Sequence, residues 1–171
     1  MSRSSPSSSR QPQPSRKAKP QNLVLDLRFD GGGDISKTTD FFNGLAAAVP
    51  GRIYVVISRL TFSAGIVAAA LVEMSAPERV TLVGEPVGDR LRFWSEGEPV
   101  CLPSTKYCLH MRNGLWDLVN GCAQEPGCYG DQFKARVPDL DPDLPAPLSV
   151  DPWFAGTDPA IRAIESDLHG H

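Results

Sequence analysis

The sequence predicts an α/β fold with a mostly parallel central sheet flanked by helices, and three observations carry that expectation. Three short apolar segments, Leu23-Val24-Leu25, Ile53-Tyr54-Val55-Val56-Ile57 and Val80-Thr81-Leu82-Val83, have the length and composition of strands. Two longer helical patterns separate them, and each strand runs straight into a turn-forming segment. The strands are continuous apolar runs rather than alternating ones, as in a parallel sheet whose two faces are both covered.

The elements follow in order. Residues 1–21 are rich in Ser and Pro and read as a disordered basic leader, so the predicted folded domain spans residues 22–171. The first strand ends at Asp30-Gly31-Gly32-Gly33-Asp34. Ser36 is a suitable cap for a helix running to about Val49, with Phe41, Phe42, Leu45 and Ala48 on one face and Pro50-Gly51 as its stop. After the second strand, Thr61-Phe62-Ser63 forms a turn that opens a helix from about Ala64 to Ser75. The third strand stops at Gly84. Short extended pieces fill Leu91 to Arg112, and Asn113 to Pro152 reads as loop. Thr157 or Asp158 caps a closing helix with Pro159 in its first turn. Because the turns after successive parallel strands share one sheet edge, Gly31–Gly33, Ser63 and Gly84–Gly88 are expected to converge.

Composition narrows the function. At 171 residues and 41% hydrophobic content the chain suits one domain with a real core. Residues 1–20 hold five basic and no acidic side chains, leaving 12 basic against 20 acidic in the remainder. The leader carries no aromatic side chain to stack on bases, and nucleic acid is not an expected partner. The longest apolar run, Ile66 to Val72, is far short of the roughly 18 residues that span a bilayer, and the first thirty residues lack a secretory apolar core. Cys101, Cys108, Cys122 and Cys128 lack the paired CxxC spacing of zinc sites, so no metal and no cofactor is expected. Disulfides and idle thiols both remain open for them.

Ser63 is the residue that points to chemistry. A serine hydroxyl becomes a nucleophile when a strained turn, a helix N-terminus, a base and waiting N–H donors surround it. Ser63 follows a buried strand, opens a helix, and has small neighbours in Ala64 and Gly65 that let a substrate backbone approach. The plain alternative is that Ser63 only caps that helix. Gly31–Gly33 lacks the Lys-Ser/Thr of a nucleotide loop and is followed by Asp34, which repels phosphate.

The segments Leu25-Asp26-Leu27-Arg28-Phe29-Asp30-Gly31-Gly32-Gly33, Thr61-Phe62-Ser63-Ala64 and Val83-Gly84-Glu85-Pro86-Val87-Gly88 occur in that order. Together they resemble the tail-specific, or C-terminal processing, serine protease superfamily, in the branch of the tricorn core and the retinoid-binding-protein-like members. Those proteins carry a DLR-x-N-x-GG stretch, a T-x-S-(A/S) turn and a glycine-flanked loop on a fold like that of ClpP and crotonase proteins. The closing Gly156-Thr157-Asp158-Pro159 is similar to the end of such a domain. The resemblance implies a hydrolase acting on a polypeptide through a Ser63 acyl-enzyme, with the backbone N–H groups of Ala64 and of Gly32 or its neighbour as the oxyanion hole. Assembly as a homo-oligomer is compatible with it.

Two departures accompany the resemblance. The position of the lysine base in the bacterial processing enzymes holds Asp89, followed by Arg90. The tricorn-like branch draws its histidine from well upstream of the nucleophile, and here the leader occupies that place. The chain is therefore read as the C-terminal part of a catalytic domain, truncated at its N-terminus. Local substitutes are His110 and Lys106 as bases and Glu125 as the supporting glutamate, while Glu85 and Asp89 edge the presumed site. Two rivals stand beside the protease: a pseudoenzyme that keeps the fold as a binding or assembly module, and a crotonase-like acyl-CoA enzyme that uses the same oxyanion logic without a nucleophilic serine.

Overall fold

The computed structural model describes residues 20–170. The leader assigned to residues 1–21 lies, except for Pro20 and Gln21, outside the described residues, as does His171.

Strands β1 (Leu23–Asp26), β2 (Ile53–Ile57) and β3 (Val80–Gly84) form a parallel sheet that a two-residue strand, β8 (Leu144–Pro145), extends in the order β1-β2-β3-β8. Helices α1 (Thr39–Ala48) and α2 (Ala64–Ser75) are the crossovers, and both pack on one face. Alternation within β2 explains its wholly apolar sequence. Ile53, Val55 and Ile57 join the core beneath α1 and α2, whereas Tyr54 and Val56 point to the opposite face. There Ala160 and Ile164 of the closing helix α4 (Pro159–His169) cover them. Every β2 residue is fully buried, as a central parallel strand requires.

Helix α2 is buried from Gly65 to Val72, packed against α1 and the sheet in a core that also takes in Phe93 of β4 (Arg92–Ser95) and Trp116 of β7 (Gly114–Asp117). The helix after β1 starts later than expected. Asp34, not Ser36, caps a short 3-10 turn over Ile35–Lys37, its carboxylate accepting the Ser36 N–H. The buried face of α1 is Phe42, Leu45 and the adjoining Val49. Phe41 and Ala48 are exposed, because the buried stripe runs through Phe42, Leu45 and Val49 at helical spacing and leaves its neighbours on the outer side.

The stretch read as loop from Asn113 to Pro152 contains a fully buried strand. Residues of β7 pair antiparallel with β4, and Trp116 is stacked between Phe93 (5.9 Å) and Phe133 (5.1 Å). Its four residues, Gly-Leu-Trp-Asp, are bounded by Gly and Asp, which hid it among turn signals. Asp117 is buried because its carboxylate accepts the N–H groups of Val119 and Asn120 and pairs with Arg92. Strands β5 (Pro99–Cys101) and β6 (Cys108–His110) form a separate hairpin, and every residue from 98 to 113 is exposed. The four cysteines are paired, Cys101 with Cys108 and Cys122 with Cys128. Among the described residues no helix is long and apolar enough to cross a membrane. A short helix α3 (Val150–Phe154) precedes α4, whose cap is Asp158 with Pro159 as the first helical residue.

Candidate active site

The turn between β2 and α2 is held by side chains that bond back to the β1 turn. Thr61, completely buried, donates its hydroxyl to the Leu27 carbonyl and accepts the Ser58 N–H. Ser58 donates its hydroxyl to the Arg28 carbonyl, and the Phe62 N–H reaches the Asp30 carbonyl at 2.9 Å. The Gly88 N–H bonds the Thr61 carbonyl, tying in the loop after β3. A Cβ at Gly88 would lie 2.3 Å from the Arg59 carbonyl oxygen, so this approach needs glycine. The three turns after β1, β2 and β3 thus meet at one sheet edge.

Ser63 sits at the centre of this junction with φ 53° and ψ −118°, a conformation that non-glycine residues rarely adopt and that costs of order 1–3 kcal/mol. It holds the N-cap position of α2, yet its side chain makes no capping hydrogen bond. The hydroxyl is therefore not spent on the helix. The N–H of Ala64, the first residue of α2, also bonds no protein acceptor among the described residues. Gly32, at φ +107°, is packed directly against the serine. A Cβ there would lie 2.7 Å from Ser63 Cβ and 3.1 Å from its Oγ. Its own N–H donates to Asp30 Oδ1 at 2.9 Å, while the neighbouring Gly33 N–H has no protein acceptor among the described residues.

Gly65 has a different role from the one its size suggested. It is buried, and a Cβ there would lie 2.6 Å from the Asp30 carbonyl oxygen, so it makes room for the β1 turn and not for a substrate backbone.

A cavity of about 400 Å³ opens beside Ser63 and Ala64. Gly33, Asp34 and Ser36 form one side, and Phe93, Trp116 and Tyr129 form an aromatic wall with Glu96 at its end. Sequence reading missed this second side altogether. The signal available was the pair of aromatic segments Phe93-Trp94 and Leu115-Trp116, whose pairing only the fold reveals.

Other site candidates are placed elsewhere. His110 lies in the exposed β6 strand, and Lys106 sits at the tip of the same hairpin with φ 59°. Neither lines the cavity. Glu125 does not either: its carboxylate grips Arg92, with Oε1 3.0 Å from Nη1 and Oε2 2.5 Å from Nη2. Asp117 holds the same guanidinium at 2.9 Å. Glu85 pairs with Arg59, and the Asp89 carboxylate accepts the Arg90 N–H. Donor atoms of Cys122, Cys128 and Asp131 lie within 4.8 Å of one another, but the two sulfurs are bonded to each other and are not free to ligate.

No protein-family model matches the sequence, and no curated protein matches it. A search of solved structures finds a protein of Bacteroides fragilis NCTC 9343, described as a candidate S41 protease, at 14% identity and a TM-score of 0.48, with 88% of this chain and 45% of that chain covered. The chain thus spans less than half the length of this structural neighbour.

Proposed function

We propose that this chain is a serine-peptidase-like domain of the tail-specific protease type, on a ClpP/crotonase-like fold, that binds a polypeptide and presents Ser63 as its nucleophile. The observation that carries the reading is Ser63 itself. It is strained, released from capping duty, and adjacent to the unengaged N–H of Ala64 at a helix N-terminus. In the reaction, Oγ bonds to the substrate carbonyl carbon, the hydroxyl proton passes to a base and then to the departing amine, and the C–N bond breaks. The developing oxyanion is taken by the N–H of Ala64 and by that of Gly33, the neighbour of Gly32.

A specific observation also supports a binding role without efficient turnover: among the described residues, neither histidine nor lysine lines the cavity. Serine hydrolases stripped of triad members keep roughly 10³–10⁴-fold catalysis over water from positioning and the oxyanion hole alone. A fluorophosphonate probe will therefore label this chain slowly, and Ser63→Ala will abolish the labelling. Labelling that persists in Ser63→Ala ends the nucleophile assignment. Rapid labelling that depends on Ser63 would show that a base resides in the chain, and Glu96→Gln, His110→Ala and Lys106→Ala would identify it.

A further inference from the structure

The cavity beside Ser63 combines two features that select the same ligand chemistry. Its aromatic wall is preorganised: Trp116 lies nearly parallel to both Phe93 and Phe133, with interplanar angles of 7° and 13°, and Tyr129 is tilted against it at 5.5 Å. The faces of Trp116 are taken up by these rings, and Tyr129, 38% exposed, is the member of the wall open to a ligand; an aromatic face attracts a cation through the ring quadrupole. Among the described residues the charged members of its lining are Asp34 and Glu96, and neither lysine nor arginine lines it.

The two carboxylates differ. Asp34 already accepts the Ser36 N–H and hydroxyl and has Lys37 Nζ at 3.4 Å. Glu96 has no hydrogen-bond or ion-pair partner among the described residues, although it is half-buried. Its placement is enforced by backbone at φ 54° and by Gly114, where a Cβ would lie 2.6 Å from Glu96 Cγ. A carboxylate held in a cavity wall without a partner is suited to a cation brought by a ligand.

We infer that this cavity receives the side chain of a lysine or arginine of the bound polypeptide, with Glu96 as the residue that selects the charge and Tyr129, backed by the buried Trp116, as the ring against which the side chain lies. This inference rests on the reading of the site as a polypeptide site. The volume of about 400 Å³ falls within the range of small-ligand pockets and suits one long side chain.

The test is equilibrium binding of capped tetrapeptides, identical except for arginine, lysine, citrulline or leucine at one position, to the full chain carrying Ser63→Ala so that no chemistry intervenes. Arginine and lysine peptides should bind at least tenfold more tightly than the citrulline peptide, which keeps the shape of arginine without its charge. Glu96→Gln should remove that preference, while Glu98→Gln, an exposed charge two residues away and outside the cavity, should preserve it. Equal affinity for arginine and citrulline peptides, a preference that survives Glu96→Gln, or no binding of any peptide would each overturn the inference. Fluorophosphonate labelling of Ser63, read separately on the unsubstituted chain, tests the nucleophile without involving the charge preference.

Discussion

At the scale of single residues, the site depends on positions that have no freedom to change. Gly32 both adopts a left-handed φ and abuts Ser63, so any side chain there pushes on that serine. Gly31, one residue earlier, faces open space with no such φ. Gly32→Ala is expected to lower unfolding free energy by about 1–3 kcal/mol, and Gly31→Ala to stay within about 0.5 kcal/mol of the parent. Urea denaturation of the two variants measures the contrast. Similar losses at both positions would mean that the glycine loop as a whole, and not its contact with Ser63, sets the cost.

At the scale of elements, α2 carries the serine at one end and a half-buried acid near the other. Burial pushes the Glu73 carboxyl up to about 7, with the charges of Asp143 and Asp139 adding to the effect. Its Oε2 is buried without a partner. The sign follows from linkage. A carboxyl raised in the folded state stabilises the fold in its protonated form below the ordinary glutamate range, and that contribution is lost as pH rises through about 7. Glu73→Gln, which cannot ionise, should therefore match the parent near pH 4.5 and become progressively more stable than it between there and pH 8. Thermal unfolding of both proteins across that range reads the difference. A gap that is constant with pH would show that Glu73 does not titrate against the fold.

At the opposite face, α4 is docked by Arg28, which extends from the end of β1 to bridge Asp26 and the helix cap Asp158. The pairing keeps both carboxylates ionised below the usual range. For Asp26 the Arg28 hydrogen bond is the main cause. For Asp158 burial acts upward, and the Arg28 bond and the helix N–H groups outweigh it.

At the scale of the whole molecule, the two disulfides do different work because they sit in differently connected parts. In the chain-entropy picture each closes a short loop and contributes about 2 kcal/mol to the cooperative unit that contains it. The Cys101–Cys108 bridge staples a hairpin whose residues are all exposed. The Cys122–Cys128 bridge closes a loop that is sewn to β7, with Leu115 N–H on the Gly127 carbonyl and Tyr129 N–H on the Leu115 carbonyl. Replacing both cysteines of the first pair by serine should leave the global unfolding midpoint nearly unchanged. The same change in the second pair should lower global stability by about 2 kcal/mol and loosen the aromatic wall that Tyr129 shares. Denaturation followed by tryptophan fluorescence distinguishes the two, and equal losses would refute the difference in coupling.

The sequence by itself determined the parallel half of the fold and one side of the site. Continuous apolar runs at Leu23, Ile53 and Val80, punctuated by glycine turns, leave little alternative to a covered parallel sheet, and parallel order alone brings Gly32 and Ser63 to one edge. Local signals suffice there because each strand, turn and helix is contiguous in the chain. The tertiary structure decided the rest. Trp116 and Phe93 form a wall only after two short segments separated by an exposed hairpin pair with each other, and the Arg92 guanidinium four residues before Glu96 is taken by Asp117 and Glu125 instead of Glu96. Pairing between distant segments is set by which surfaces remain to be buried once the sheet and α2 have formed, and no local pattern in the chain encodes that remainder.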